Sequence, residues 1–105
     1  VESLGSEKPL IIRREQLPLL TRPYVEPRTP TERILAQIWR EALSVDRIGM
    51  DDRYFDLGGD SLVAANIFSQ IEAKLGIYLP MTVLDNAPTI AQLAPQVDAL
   101  LAERT

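Results

Sequence analysis

The chain has 105 residues, 46% of them apolar and 25% charged, and a formal net charge of −4. This is the balance of one small domain that can close a single core, and it excludes a chain disordered by composition. The negative charge argues against nucleic acid as a partner, because phosphate backbones are met by clustered Lys and Arg.

No apolar run is long enough to span a bilayer and no signal-peptide pattern opens the chain, so a soluble cytoplasmic protein is expected. Cys and His are both absent. Without Cys there are no disulfides, few zinc sites and no thiol chemistry from the chain itself. Without His there is no Ser-His-Asp arrangement. Any thioester held here needs a sulfur from a prosthetic group.

Residues 1–28 hold four of the eight prolines, Pro9, Pro18, Pro23 and Pro27, with Pro30 just beyond. Pro at this density interrupts helix and sheet and favours extended backbone. The apolar clusters Leu10-Ile11-Ile12 and Leu17-Pro18-Leu19-Leu20 show no sustained period. Residues 1–30 carry net charge +1, which leaves −5 on the remaining 75. Residues 1–28 read as a linker, and 29–103 as the folded domain.

The first helix is announced by Thr29 as cap, Pro30 at the first helical position and Glu32 closing a capping box. Ile34, Leu35, Ile38, Trp39, Ala42 and Leu43 follow helical spacing and form its expected core stripe. Trp39 reads as a core aromatic rather than a binding one. Residues 44–60 then make a long connection, expected to be ordered by Val45, Ile48, Phe55 and Leu57 as buried anchors. Asp46, Asp51, Asp52, Asp56 and Asp60 lack the spacing and closing Glu of an EF-hand loop and read as surface acids. Asp60 can also cap the helix after it.

That helix is preceded by Tyr54-Phe55-Asp56-Leu57-Gly58-Gly59-Asp60-Ser61-Leu62. The Gly-Gly pair allows a sharp turn with positive φ, and Ser61 falls at the first residue of an amphipathic run. A hydroxyl at a helix N-terminus is well placed to carry a phosphate, since the unpaired N–H groups and the dipole there favour an anion. The helix runs from Ser61 to about Leu75, with Gly76 as its stop. Ala64, Ile67, Phe68, Ile71 and Leu75 make the core stripe. Leu62 points away from it and Ala65 lies to one side, so an apolar residue beside Ser61 faces solvent as a partner contact.

Pro80 allows one short helical turn over Met81–Asp85, in which Met81 and Val83 are either a mobile contact surface or core. The last helix opens at Thr89 with Gln92 completing a second capping box. Its buried face is Ile90, Leu93, Ala94, Val97, Leu100 and Leu101. Pro95 cannot donate to the carbonyl of Ala91 and is expected to bend or split it.

Ile48-Gly49, Asp51-Asp52, Phe55 and Leu57-Gly58-Gly59-Asp60-Ser61-Leu62 resemble the core of the phosphopantetheine-dependent carrier proteins. The likeness runs from about Tyr24 to Leu101 and is greatest to the peptidyl carrier (thiolation) domains of nonribosomal peptide synthetases. Leu17-Pro18, followed by Arg22-Pro23-Tyr24 and Thr29-Pro30-Thr31-Glu32, similarly resembles the segment joining an adenylation domain to its carrier. The resemblance implies an all-α, right-handed four-helix bundle with a long first loop and a short third helix, monomeric as an isolated domain. It implies no catalysis: Ser61 bears 4′-phosphopantetheine from coenzyme A, and Gly59, Asp60 and Leu62 flank it. Leu62, Ala65, Tyr54, Met81 and Val83 are the implied docking residues. The implied partners are a phosphopantetheinyl transferase and adenylation, condensation or epimerisation domains.

Two alternatives belong beside this reading: an acyl carrier of a polyketide or hybrid synthase, and a helical interaction module without a prosthetic group. Fatty-acid carriers as a family have a more acidic second helix than one whose only charges are Glu72 and Lys74. Many peptidyl carriers have His where this chain has Asp60, and carriers before epimerisation domains or in loading and hybrid modules often resemble the Asp form. Gly59-Asp60-Ser61-Leu62 also matches the motif of GDSL lipases, but those need a His and a much larger α/β scaffold.

Overall fold

The computed structural model describes residues 11–104. Leu10 and the residues before it, including Pro9, lie outside that range. Three α-helices carry the fold: α1 (Pro30–Leu43), α2 (Ser61–Leu75) and α3 (Ile90–Arg104). Short 3-10 turns lie at Arg14–Gln16, Tyr54–Leu57 and Met81–Asp85. The fold is all-α, and the short third helix expected after Pro80 is a 3-10 turn.

Helix α1 packs against both α2 and α3. It begins with the expected reciprocal cap: the Glu32 N–H donates to Thr29 Oγ1 at 3.1 Å, while Glu32 Oε1 accepts from the Thr29 N–H. Leu35, Ile38 and Trp39 are fully buried against Ile67 and Ile71 of α2 and Ile90, Leu93 and Val97 of α3. Each such side chain contributes about 1.5–3 kcal/mol by leaving water. Ile34 does not join this stripe and is exposed. It lies at the rim, and Thr31 and Glu32 are buried in its stead, Thr31 through a hydrogen bond from its hydroxyl to Asp98 of α3.

Helix α3 begins with the Thr89–Gln92 box and continues unbroken through Pro95. Only the bond to the Ala91 carbonyl is forfeited there. The helix is therefore not split, and the residues on either side, Leu93, Ala94 and Val97, are buried in the core. No described helix is long and apolar enough to cross a membrane.

The described part of the linker is packed onto the domain. Ile12 forms an isolated parallel bridge with Val45: its N–H donates to Ser44 O at 2.7 Å, and its carbonyl accepts from the Asp46 N–H at 2.8 Å. Ser44 makes this possible by ending α1 in the left-handed conformation, with φ 57°. Leu17, Leu20 and Val25 lie half-buried against the core. Arg14 is buried with Asp52: its Nε reaches Oδ2 at 2.7 Å and its Nη2 reaches Oδ1 at 2.6 Å. Asp52 Oδ2 also accepts the Gly49 N–H at 2.7 Å, so both carboxylate oxygens are satisfied. The Arg14 guanidinium is held above its ordinary pKa, chiefly by this hydrogen bond to Asp52. Asp52, expected at the surface, is therefore 1% exposed. Its partner sits 38 residues upstream, where loop spacing gives no sign of it.

Candidate functional site

The turn before α2 is built on Tyr54. In the 3-10 turn Tyr54–Leu57, positions three apart share a face, so Tyr54 and Leu57 point inward and Phe55 outward. Tyr54 is fully buried and Phe55 is 54% exposed. This corrects two expectations at once: Tyr54 is not an accessible docking residue, and Phe55 is not a buried anchor. Met50, not singled out in the sequence, takes a fully buried place in the same loop.

The Tyr54 ring meets Trp39 edge-on at 5.5 Å and Phe55 edge-on at 5.1 Å. Its N–H donates to Pro88 O at 2.8 Å, tying the turn to the approach of α3. Its hydroxyl donates to Asp60 O at 2.7 Å. Burial, and then the Asp60 charge, push the phenol up to about 12, which extends its range as a donor into alkaline pH.

Above this ring the chain needs two glycines for different reasons. Gly58 has φ 90° and closes the 3-10 turn in the left-handed region. Gly59 lies directly on the ring: a Cβ there would stand 2.2 Å from Tyr54 Cζ. Asp60 follows in extended conformation and caps α2, its Oδ1 accepting the Val63 N–H at 2.9 Å. Its carbonyl accepts the first helical bond from the Ala64 N–H at 2.9 Å, in addition to the Tyr54 hydroxyl.

Ser61 is thus the first residue of α2, exposed, on a turn fixed from beneath by an aromatic ring. Among the described residues its hydroxyl has no hydrogen-bond partner within the chain. Leu62 beside it is 81% exposed and Ala65 is also exposed. Met81 is 42% exposed while Val83 is half-buried against the core. A groove of about 250 Å³ joins Ala65 and Met81 and includes Phe68, Glu72 and Tyr78. Tyr78, 70% exposed, lines this groove and was not among the residues singled out from the sequence. The in–out alternation of Ile77, Tyr78 and Leu79 after Gly76 was the available signal.

The arrangement offers a reactable hydroxyl but no machinery to activate it. There is no His in the chain, the Asp60 carboxylate is engaged as a cap, and no cluster of three metal-ligating side chains occurs among the described residues.

The family model described as "Phosphopantetheine attachment site" matches residues 33–96. Malpinin synthetase of Mortierella alpina is 49% identical over 77 residues, covering 73% of this chain but 1% of its own length. The chain therefore spans only a small fraction of this much longer relative. Among solved structures, a peptidyl carrier protein in complex with the phosphopantetheine transferase Sfp and coenzyme A superposes with TM-score 0.70 at 38% identity, covering 72% of this chain and 99% of that one. A structure described as a prototype for the peptidyl carrier domains of modular peptide synthetases superposes with TM-score 0.64 at 40% identity, covering 71% and 99%.

Proposed function

Because the chain belongs to the phosphopantetheine attachment-site family and is a non-catalytic carrier domain of the peptidyl type found in nonribosomal peptide synthetases, we propose that Ser61 is its attachment residue. The observation that carries this is the unengaged, exposed Ser61 hydroxyl at the head of α2, on a turn held by Tyr54 and Gly59. A phosphopantetheinyl transferase, with Mg²⁺, would join the Ser61 oxygen to the phosphorus of coenzyme A's phosphopantetheine unit. The pyrophosphate bond of coenzyme A breaks and adenosine 3′,5′-bisphosphate leaves. The Ser61 proton would go to a base on the transferase.

When bound, the arm supplies the thiol on which an aminoacyl, peptidyl or acyl group is held as a thioester. The chain's own part is to present that arm and to be recognised. Tethering raises the cargo's effective concentration at successive active sites without new contacts. Leu62, Ala65 and Met81 form the docking face, with Phe55 supplying the aromatic that Tyr54 was expected to give. Val83, half-buried, lies at its margin. Adenylation, condensation or epimerisation domains would meet this face in turn. The reading places residues 29–103 as the carrier, residues 1–28 as the junction to a preceding domain, and the whole in the cytoplasm, where coenzyme A is at hand.

Intact mass after incubation with coenzyme A, Mg²⁺ and a broad-specificity transferase tests the site. The parent chain should gain one phosphopantetheine unit and Ser61→Ala none, with unchanged circular dichroism. A gain in Ser61→Ala would move the attachment elsewhere. Leu62→Ala should slow modification or cargo transfer while leaving the melting temperature within a degree or two, because an exposed side chain contributes little to stability. A large fall in melting temperature would instead place Leu62 in the core.

A further inference from the structure

A second groove, of about 260 Å³, lies on the flank of α1 and shares no lining residue with the Ser61 turn or the groove beside α2. Arg33 and Arg40 of α1, Arg47 of the following loop, and Tyr24 of the linker line it. Three arginines converge on one groove in a chain whose net charge is −4. All three are exposed. Among the described residues none has a carboxylate partner, the ion pairs being Arg13–Glu15, Arg14–Asp52 and Arg28–Glu32. The one carboxylate in the lining, Asp46, accepts the Arg14 N–H at 2.8 Å.

The groove has a fixed wall. The Arg47 guanidinium lies 4.2 Å from the centroid of the Tyr24 ring, a cation–π contact that holds its charge in the groove. Arg14 lies 5.5 Å from the same ring, so the buried Arg14–Asp52 pair and this wall belong to one arrangement. Arg33 and Arg40 are seven residues apart on α1, or about 10 Å along its axis. With Arg47 they spread positive charge along the groove, which suits acidic side chains repeated along a polypeptide. Ala36 and Ile48, both buried, give the groove an apolar lining between the charges.

We propose that this groove docks an acidic segment of a partner protein, with carboxylates meeting Arg33, Arg40 and Arg47. Because Tyr24 belongs to the linker, the complete groove exists only while the linker is packed on the domain. A partner that binds there therefore favours the packed linker, and by linkage the packed linker favours the partner. The site is separate from the attachment residue and does not depend on loading.

The test is a titration of the 105-residue chain at low salt with a labelled Glu-rich peptide, its Gln-for-Glu counterpart, and a single-stranded RNA of equal charge. The Glu peptide should bind, the Gln peptide should not, and amide shifts should move at Arg33, Arg40 and Arg47 but not at Leu62. The double variant Arg33→Gln/Arg40→Gln, both at exposed positions, should bind about tenfold more weakly. Ser61→Ala should bind as the parent does. Saturating peptide should slow tryptic cleavage after Arg14, which is buried while the linker is packed. Binding that ignores the double variant, RNA binding as tight as the peptide's, or no peptide binding at millimolar concentration would each overturn the proposal.

Discussion

Gly59→Ala is expected to destabilise the protein by about 3 kcal/mol, at the upper end of what overpacking costs, and to stop loading at Ser61. The added methyl would fall between 2.2 and 2.6 Å from three atoms of the Tyr54 ring. That ring cannot withdraw, since it is fully buried, edge-on to Trp39 and hydrogen-bonded to Asp60 through its hydroxyl. The turn must lift instead, and the cap of α2 and the Ser61 position move with it. Urea denaturation with intact-mass loading checks both consequences. In a Tyr54→Leu background the same Gly59→Ala change should cost much less, because the atoms it strikes are gone. Equal costs in the two backgrounds would show that the ring is not the obstacle.

Arg14→Met should cost about 3 kcal/mol, the lower end of the range for breaking a buried ion pair. Asp52 would keep only the Gly49 N–H of its three donors. The linker would lose both the guanidinium bond to Asp52 and the one from Arg14 Nη2 to Arg22 O at 2.9 Å. A chain beginning at residue 29 should show a loss at least as large. The midpoint of urea unfolding reads both. A midpoint unchanged in either would mean that the packed linker adds nothing to the fold.

Much of this molecule is written locally. The capping boxes at Thr29 and Thr89, the Asp60 cap, the Gly76 stop and the α2 stripe depend on residues three or four positions apart, and the sequence shows all of them. Solvent exposure of Leu62 follows from the same helical geometry. What could not be read depended on partners distant in sequence or on the phase of a short turn. Nothing near Asp52 points to Arg14, and a 3-10 turn of four residues is too brief for a period to separate Tyr54 from Phe55. The hydroxyl of Tyr54 matters for the same reason: its acceptor is the backbone carbonyl of Asp60, which no side-chain pattern encodes.

The Asp60 cap bears on how freely cargo can travel. Its carboxylate already occupies one of the N–H groups at that helix start, that of Val63, and offsets part of the positive end of the helix dipole, which weakens the grip a helix start ordinarily has on an anion. A phosphodiester at Ser61 would stand beside that negative charge and be repelled by it rather than seated. With the arm on Ser61, as proposed, the joint between domain and arm would be a swivel and not a socket, and a thioester at its far end would sweep from one catalytic neighbour to the next without first being prised from its own carrier.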